Sequence, residues 1–214
     1  MAGLVRPAQG LLLTATAGWV DAVGFVGLQG FYPSFMSGNT TQLGIALSDE
    51  QWNLAALAAA VLALFFVGSF CGGLITVLAG RWRLAAVLAL EAALLVGALG
   101  AALVGREREA LLLLPVAMGV QNAAVYELRP GATTFVTGTL FRSGYELARA
   151  VAGRPDAAWL PQLLTWTSFA LGAVAGAVGS SRWGLFALSV PFAVVVGSAV
   201  LTMSDPAETE EKTS

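Results

Sequence analysis

Apolar positions along the chain gather into six long runs, near residues 10–30, 53–80, 84–104, 110–128, 159–179 and 183–203, and polar and charged positions collect in the gaps between them. Each run has roughly the ~20 residues a helix needs to cross the hydrocarbon core of a bilayer, so each predicts a membrane-spanning helix. Two shorter segments, 31–47 and 133–151, break this pattern. Each opens on residues suited to extended backbone, Phe31-Tyr32-Pro33 in one and Thr133-Thr134-Phe135-Val136 in the other, then passes a small polar cluster with glycine and turns helical. The pattern predicts an all-α polytopic membrane protein of about six transmembrane helices. Two short re-entrant extended/half-helix segments are added to these, with the half-helices near 37–48 and 137–152.

The distribution of Lys and Arg among the short loops orients such a chain, because these residues are retained on the cytoplasmic side. Six crossings with the N-terminus inside leave Arg6, Arg81, Arg83, Arg129, Arg142, Arg149, Arg154 and Lys212 inside and Arg106, Arg108 and Arg182 outside. Letting both short segments cross, for eight spans, weakens that bias, and six is preferred. Both termini are then cytoplasmic, in a bacterial inner membrane. Arg6, the following apolar stretch and Ala15-Thr16-Ala17 resemble a signal peptide. A counterpart of this segment in mid-chain argues against cleavage.

That counterpart belongs to an internal repeat. A shift of 101 residues aligns Gly18 with Gly119, Asp21 with Asn122, Ala22 with Ala123 and Arg81-Trp82 with Arg182-Trp183. A single-residue gap then sets Phe35-Met36-Ser37-Gly38 over Phe135-Val136-Thr137-Gly138. The halves are read as residues 1–105 and 106–203, followed by an acidic tail, 204–214, expected to be disordered. Three spans per half is an odd number, so the second half enters the membrane inverted relative to the first. Glycine-broken segments at matching positions of inverted halves are the usual pointer to a transporter's substrate site. Gly68-x-x-x-Gly72 and Gly172-x-x-x-Gly176 fit the small-residue packing motif of membrane helices and are read as seams.

Composition narrows the chemistry. Hydrophobic residues make up 57% of the chain and charged residues 11%, against about a quarter charged in a soluble domain. Histidine is absent, which removes the commonest general base and metal ligand. The single cysteine, Cys71, forms no internal disulfide and no cysteine-based metal site. No metal, cofactor or enzymatic activity is expected. A net charge of −2 without a basic stripe sets nucleic acid aside. The expected partners are the lipid bilayer, a small-molecule or ion solute, and a second copy of the chain if the protein is a homo-oligomer.

The candidate site follows from polar residues at membrane depth. Asp21 falls near the middle of the first span, where a carboxylate must face protein or water. Thr14, Gly18, Asp21 and Phe25 share one helix face, as do Pro115, Gly119, Asn122 and Tyr126, and the two stripes are expected to meet. Asp21, Asn122 and the adjacent Gln121 would form an asymmetric pair for a cation or proton. Ser37, Gly38, Asn39 and Thr40, with their counterparts Thr137, Gly138 and Thr139, would start half-helices whose unpaired N–H groups suit an anionic or strongly polar group. The plainer alternative makes Ser37, Asn39, Thr137 and Thr139 helix N-caps only. The extended stretches ahead of them are expected to pair as short strands. Glu91 has no polar stripe around it, and a structural acid or a contact with a second subunit is as open a reading as a relay function. Arg142 could neutralise an anion or pair with Glu146 one turn later, and the helical pair is preferred. Trp52, Trp82, Trp159 and Trp183 mark span ends.

At Gly18-Trp19-Val20-Asp21-Ala22, Met36-Ser37-Gly38-Asn39-Thr40, Gln121-Asn122-Ala123 and Thr134-Phe135-Val136-Thr137-Gly138-Thr139, the sequence resembles the YoaK-type family of small bacterial membrane proteins, over nearly the whole chain. That resemblance implies a polytopic bacterial membrane protein without an assigned substrate. The strand-plus-half-helix pattern also looks like the central site of the uracil and sulfate permease superfamily, in architecture only. Together these readings lead to the expectation of a secondary transporter or facilitator, with an oligomeric channel or a non-transporting scaffold as alternatives.

Overall fold

The computed structural model describes residues 2–128, 136–154 and 158–203, with side chains from Arg6 onward. Eight helices account for nearly all of them: α1 (Ala2–Gly27), α2 (Met36–Ser48), α3 (Trp52–Leu78), α4 (Arg83–Leu103), α5 (Glu107–Leu128), α6 (Val136–Val151), α7 (Trp159–Trp183) and α8 (Ser189–Met203). No strand occurs among the described residues. Residues 31–35 are irregular rather than a strand, and 133–135 and the tail 204–214 lie outside the described residues.

Five segments are long and apolar enough to cross a membrane: Arg6–Gly27, Trp52–Leu78, Gly80–Leu103, Glu107–Leu128 and Trp159–Met203. The last contains 45 residues, about 68 Å of helix at 1.5 Å per residue and more than twice the ~30 Å core. It is broken at Gly184, whose φ of 54° only glycine adopts freely, and by the 3-10 turn Gly184–Leu188. Large apolar side chains such as Phe66, Val77, Leu103 and Leu171 face outward. The bilayer is what covers them, since a water-soluble chain rarely leaves so many exposed. Trp52, Trp82, Trp159 and Trp183 stand at helix ends.

Two seams of close backbone contact organise the bundle. On α1 and α7, Gly172 lies against the backbone of Ala15, Gly176 against that of Trp19, and Gly18 against Phe169 and Ala173; a Cβ at any of the three would collide with backbone. On α3 and α5, Gly68 lies against Val116, Gly72 against Val120, and Gly119 against Phe65 and Ser69. The first set maps onto the second residue by residue, Ala15, Gly18 and Trp19 falling 101 positions before Val116, Gly119 and Val120. These are the small-residue seams read from the sequence. In the absence of water, close van der Waals packing is the main force holding such helices together.

The same contacts fix helix direction. Ala15 with Gly172 and Trp19 with Gly176 make α1 and α7 parallel, and Gly68 with Val116 and Gly72 with Val120 make α3 and α5 parallel. Gly24 packs on Leu114 and Gly27 on Leu111, so α1 and α5 are antiparallel. The Arg83–Glu127 ion pair at 2.7 Å and the approach of Leu113 to Gly97 make α4 antiparallel to α5. Gln9 bonding Ser198 and Trp19 Nε1 donating to Ala187 O (3.0 Å) make α8 antiparallel to α1.

One expectation fails here. The Gly18 stripe of α1 does not meet the Gly119 stripe of α5; each glycine is the close-packing position for another helix, α7 and α3 respectively. The α1–α5 contact instead uses Leu13, Thr16, Gly24 and Gly27.

Candidate functional site

Between α1 and α2 the chain leaves helical geometry for eight residues, and its polar neighbours are arranged around that break. Gln29 and Gly30, with φ of 55° and 94°, turn the chain back. Phe31 then buries its ring completely in the core, and Pro33 covers Gly24, where any side chain would collide with it. Irregular backbone at membrane depth must find its hydrogen bonds within the protein, and three side chains supply them. Asp21 Oδ1 accepts from Ser34 N (2.6 Å) and its Oδ2 from Ser34 Oγ (2.7 Å). Asn39 accepts at Oδ1 from Tyr32 N (2.9 Å) and donates from Nδ2 to Tyr32 O (2.7 Å). Gln42 Nε2 donates to Gly30 O (2.7 Å). The Tyr32 ring packs tilted against Phe25 and edge-to-face with Phe35, with ring centroids 4.7 and 5.5 Å away.

These contacts give Asp21 and Asn39 a role that their spacing did not reveal. Asn39 is fully buried and acts as a clamp on Tyr32 rather than as an N-cap; no side chain caps α2. The exposed Phe35 ring lies where a Cβ on Gly38 would be, so a side chain there would displace it. Thr40 is exposed and its hydroxyl returns to Met36 O (2.9 Å). Gln121 is buried in the α1–α5 contact, where Nε2 donates to Leu13 O (2.8 Å) and Thr16 Oγ1 (2.5 Å) while Oε1 has no hydrogen-bond partner.

Ser37, Asn122, Thr137, Gly138 and Thr139 do come together. They line a partly open cavity of about 1300 Å³ bounded by the starts of α2 and α6 and by faces of α3 and α5. Ser34, Ser69, Thr76 and Arg142 add polar groups, and Phe65, Leu74 and Tyr126 form apolar wall. Asn122 also donates from Nδ2 to Met118 O (3.0 Å), and Thr139 Oγ1 to Val136 O (2.8 Å). The first-turn N–H groups of α2, at Ser37 and Gly38, have no acceptor within their own helix. Asp21 does not line the cavity. It lies directly behind Ser34, which does.

Ser34 is the residue that sequence reasoning passed over. A serine after Pro33, one residue before Phe35, carries no motif, and its link to Asp21 depends on the turn at Gln29 and Gly30. Arg142 faces the cavity, while the ion pair of Glu146 is with Arg149 (2.9 Å). Glu91 is fully buried within this chain, and neither carboxyl oxygen has a hydrogen-bond partner. That burial removes the reading of Glu91 as a contact with a second subunit, and Glu91 makes no hydrogen bond to Asp21. No cluster of metal-ligating residues occurs among the described residues.

The apolar helices, their lipid-facing side chains and the buried polar break define a multi-pass helical membrane protein. The chain belongs to the family described as a protein of unknown function (DUF1275), which it matches over residues 9–201. It is 35% identical over 192 residues to the UPF0700 transmembrane protein RA0705 of Rhizobium meliloti (strain 1021), covering 87% of this chain and 83% of that protein. No solved structure matches the chain. The comparisons thus agree with the motif resemblance on an uncharacterised membrane family; the YoaK-type name rests on the motifs alone.

Proposed function

We propose that the protein is a secondary transporter or facilitator for a small polar or anionic solute, built from six crossings in two inverted halves, and not an enzyme. The helix directions support the topology. Taking α1 as up, α3 is down, α4 up, α5 down, α7 up and α8 down, so α1, α3 and α4 run opposite to α5, α7 and α8. The short α8 reaches across because the 3-10 turn before it adds about 10 Å to its own ~22 Å. The residue-by-residue match between the two glycine seams supports descent of the halves from one duplicated unit. In this topology both termini share the side that carries most of the arginines, the cytoplasmic side of a bacterial inner membrane.

The cavity is the observation that carries the functional reading. It sits between the starts of two short helices, about 20 Å and 24 Å long by residue count and thus too short to cross alone. It collects hydroxyl groups at the matching positions Ser37 and Thr137, together with the amide of Asn122, the guanidinium of Arg142 and the carboxylate of Glu127. Ser37, Asn122, Thr137 and Thr139, with the free N–H groups at Ser37 and Gly38, would hold the polar part of the solute. The wall of Phe65, Leu74 and Tyr126 would pack against its carbon skeleton. Asp21 and Asn39 hold the loop that frames the site, and Asp21 would couple a proton or cation through Ser34.

A thermal-stability screen of the purified protein against small carboxylates, phosphates, nucleobases and amino acids tests this, because a compound bound only by the folded state raises the melting temperature. The compound found should enter proteoliposomes with saturation and counterflow, and Asn122→Leu should abolish both the shift and the flux. Flux without saturation would favour a channel, and binding without flux a scaffold.

A further inference from the structure

The cavity uses Gly119, Asn122, Ala123 and Tyr126 of α5 and Phe65, Ser69 and Gly73 of α3. The matching face on the other seam consists of Gly18, Asp21, Ala22 and Phe25 of α1 with Phe169, Ala173 and Ala177 of α7. The two faces are carried on equivalent parallel helix pairs whose backbones meet at equivalent residues. The first lines the cavity, and residues 129–135, which follow its α5 side, lie outside the described residues. On the α1 side, Tyr32 packs at a tilt against Phe25, Pro33 packs over Gly24, and Ser34 bonds both oxygens of Asp21.

We propose that the α1–α7 face around Asp21 is a second vestibule for the same solute, the counterpart of the open cavity, which the 28–35 segment closes in this conformation through the two hydrogen bonds from Ser34 to Asp21. This rests on the transporter reading above and supplies its alternate access point. Ser34 is a positioning residue: it belongs to the wall of the open cavity and to the latch of the closed one. A solute that draws the Ser34 hydroxyl toward the cavity weakens the hold on Asp21. Inverted halves exchanging conformations around a fixed site is the general logic of such transporters. Here the exchange has a specific mechanical element, a segment anchored at Phe31 and clamped at Tyr32 by Asn39 but held at its far end by Ser34.

Modification of Asp21 tests the latch without knowledge of the solute. The full-length protein in membranes is treated with a water-soluble carbodiimide and glycine ethyl ester, and amide formation at Asp21 and Glu91 is followed by peptide mass spectrometry. Asp21 should react in the wild type through transient opening, and faster than Glu91, which no segment can uncover. Ser34→Ala should speed modification of Asp21 by roughly ten-fold or more, as expected for loss of a hydrogen bond to a carboxyl group, with Glu91 unchanged. Ser34→Thr, which keeps the hydroxyl, should return the rate toward that of the wild type. Asn39→Ala, which loosens the same segment from the other side, should also speed the reaction and serves if Ser34→Ala does not fold. Equal Asp21 rates in wild type and variants, or Asp21 no faster than Glu91, would overturn the latch. Labelling of Thr137→Cys by a water-soluble thiol reagent, in a Cys71→Ala background, reports the open cavity separately, so the transporter reading stands or falls apart from this outcome.

Discussion

Gly172 of α7 lies against the backbone of Ala15 in α1, and the corresponding Gly68 of α3 lies against Val116 of α5, 101 positions after Ala15. The two contacts are one contact made twice. One joins α1 to α7 and the other α3 to α5, so helices far apart in the chain are packed backbone to backbone.

That geometry sets the first prediction. Gly68→Ala and Gly172→Ala place a methyl group into backbone and should each destabilise the protein by about 1–3 kcal/mol, the usual range for overpacking. Gly100→Ala, on α4 with open space around it, should be neutral or slightly stabilising through helix propensity. Melting of the purified proteins in detergent reads all three.

The carboxyl of Glu91 is buried without a hydrogen bond, a burden of about 1–3 kcal/mol for an unsatisfied polar group. Glu91→Met, close in volume and apolar, should therefore raise the melting temperature. A fall would show that the acid has a partner that stabilises it.

Gln121 gives the converse case. Thr16 Oγ1 already donates to Leu13 O at 2.7 Å, so both groups that accept from Gln121 keep each other when its side chain is removed. Gln121→Leu also eliminates the unpaired Oε1. It should cost less than about 1 kcal/mol and leave flux intact. A larger loss of stability, or loss of flux alone, would assign Gln121 a role beyond joining α1 to α5.

Asn39 should be far less tolerant. Asn39→Ala removes both bonds to Tyr32 and leaves a buried N–H and a buried C=O unpaired, at about 1–3 kcal/mol for each group. Asn39→Asp sets a buried carboxylate against Tyr32 O and should cost at least as much as Asn39→Ala. Limited proteolysis within residues 28–35 should follow the same order.

The long apolar helices and both short helices were legible in the sequence because hydropathy over twenty residues and glycine-polar breaks are local signals, although the last two expected spans form one apolar segment broken at Gly184. The first short helix starts at Met36, within a residue of expectation. The glycine seams were legible as motifs, though not as to which helices they join. What stayed hidden was set by the fold of one loop. Asp21 was read as facing Asn122 because both sit at repeat-equivalent positions. The left-handed turn at Gln29 and Gly30 brings Ser34 back over Asp21 instead, and no helical spacing encodes that return. Asn39 similarly carried the marks of a helix cap, but with Tyr32 seven residues earlier it became a clamp for the loop.

The central claim is that Asn122 and the starts of α2 and α6 border a water-filled cavity at mid-depth, and thiol labelling of Asn122→Cys in a Cys71→Ala background tests it most directly. With the protein in intact membranes, a small water-soluble methanethiosulfonate should modify Asn122→Cys readily, and bulky blocking of the cavity by Thr137→Trp should slow it. Resistance of Asn122→Cys to the reagent, with the protein folded and a loop cysteine labelled normally, would mean a dry interior and no path for a solute.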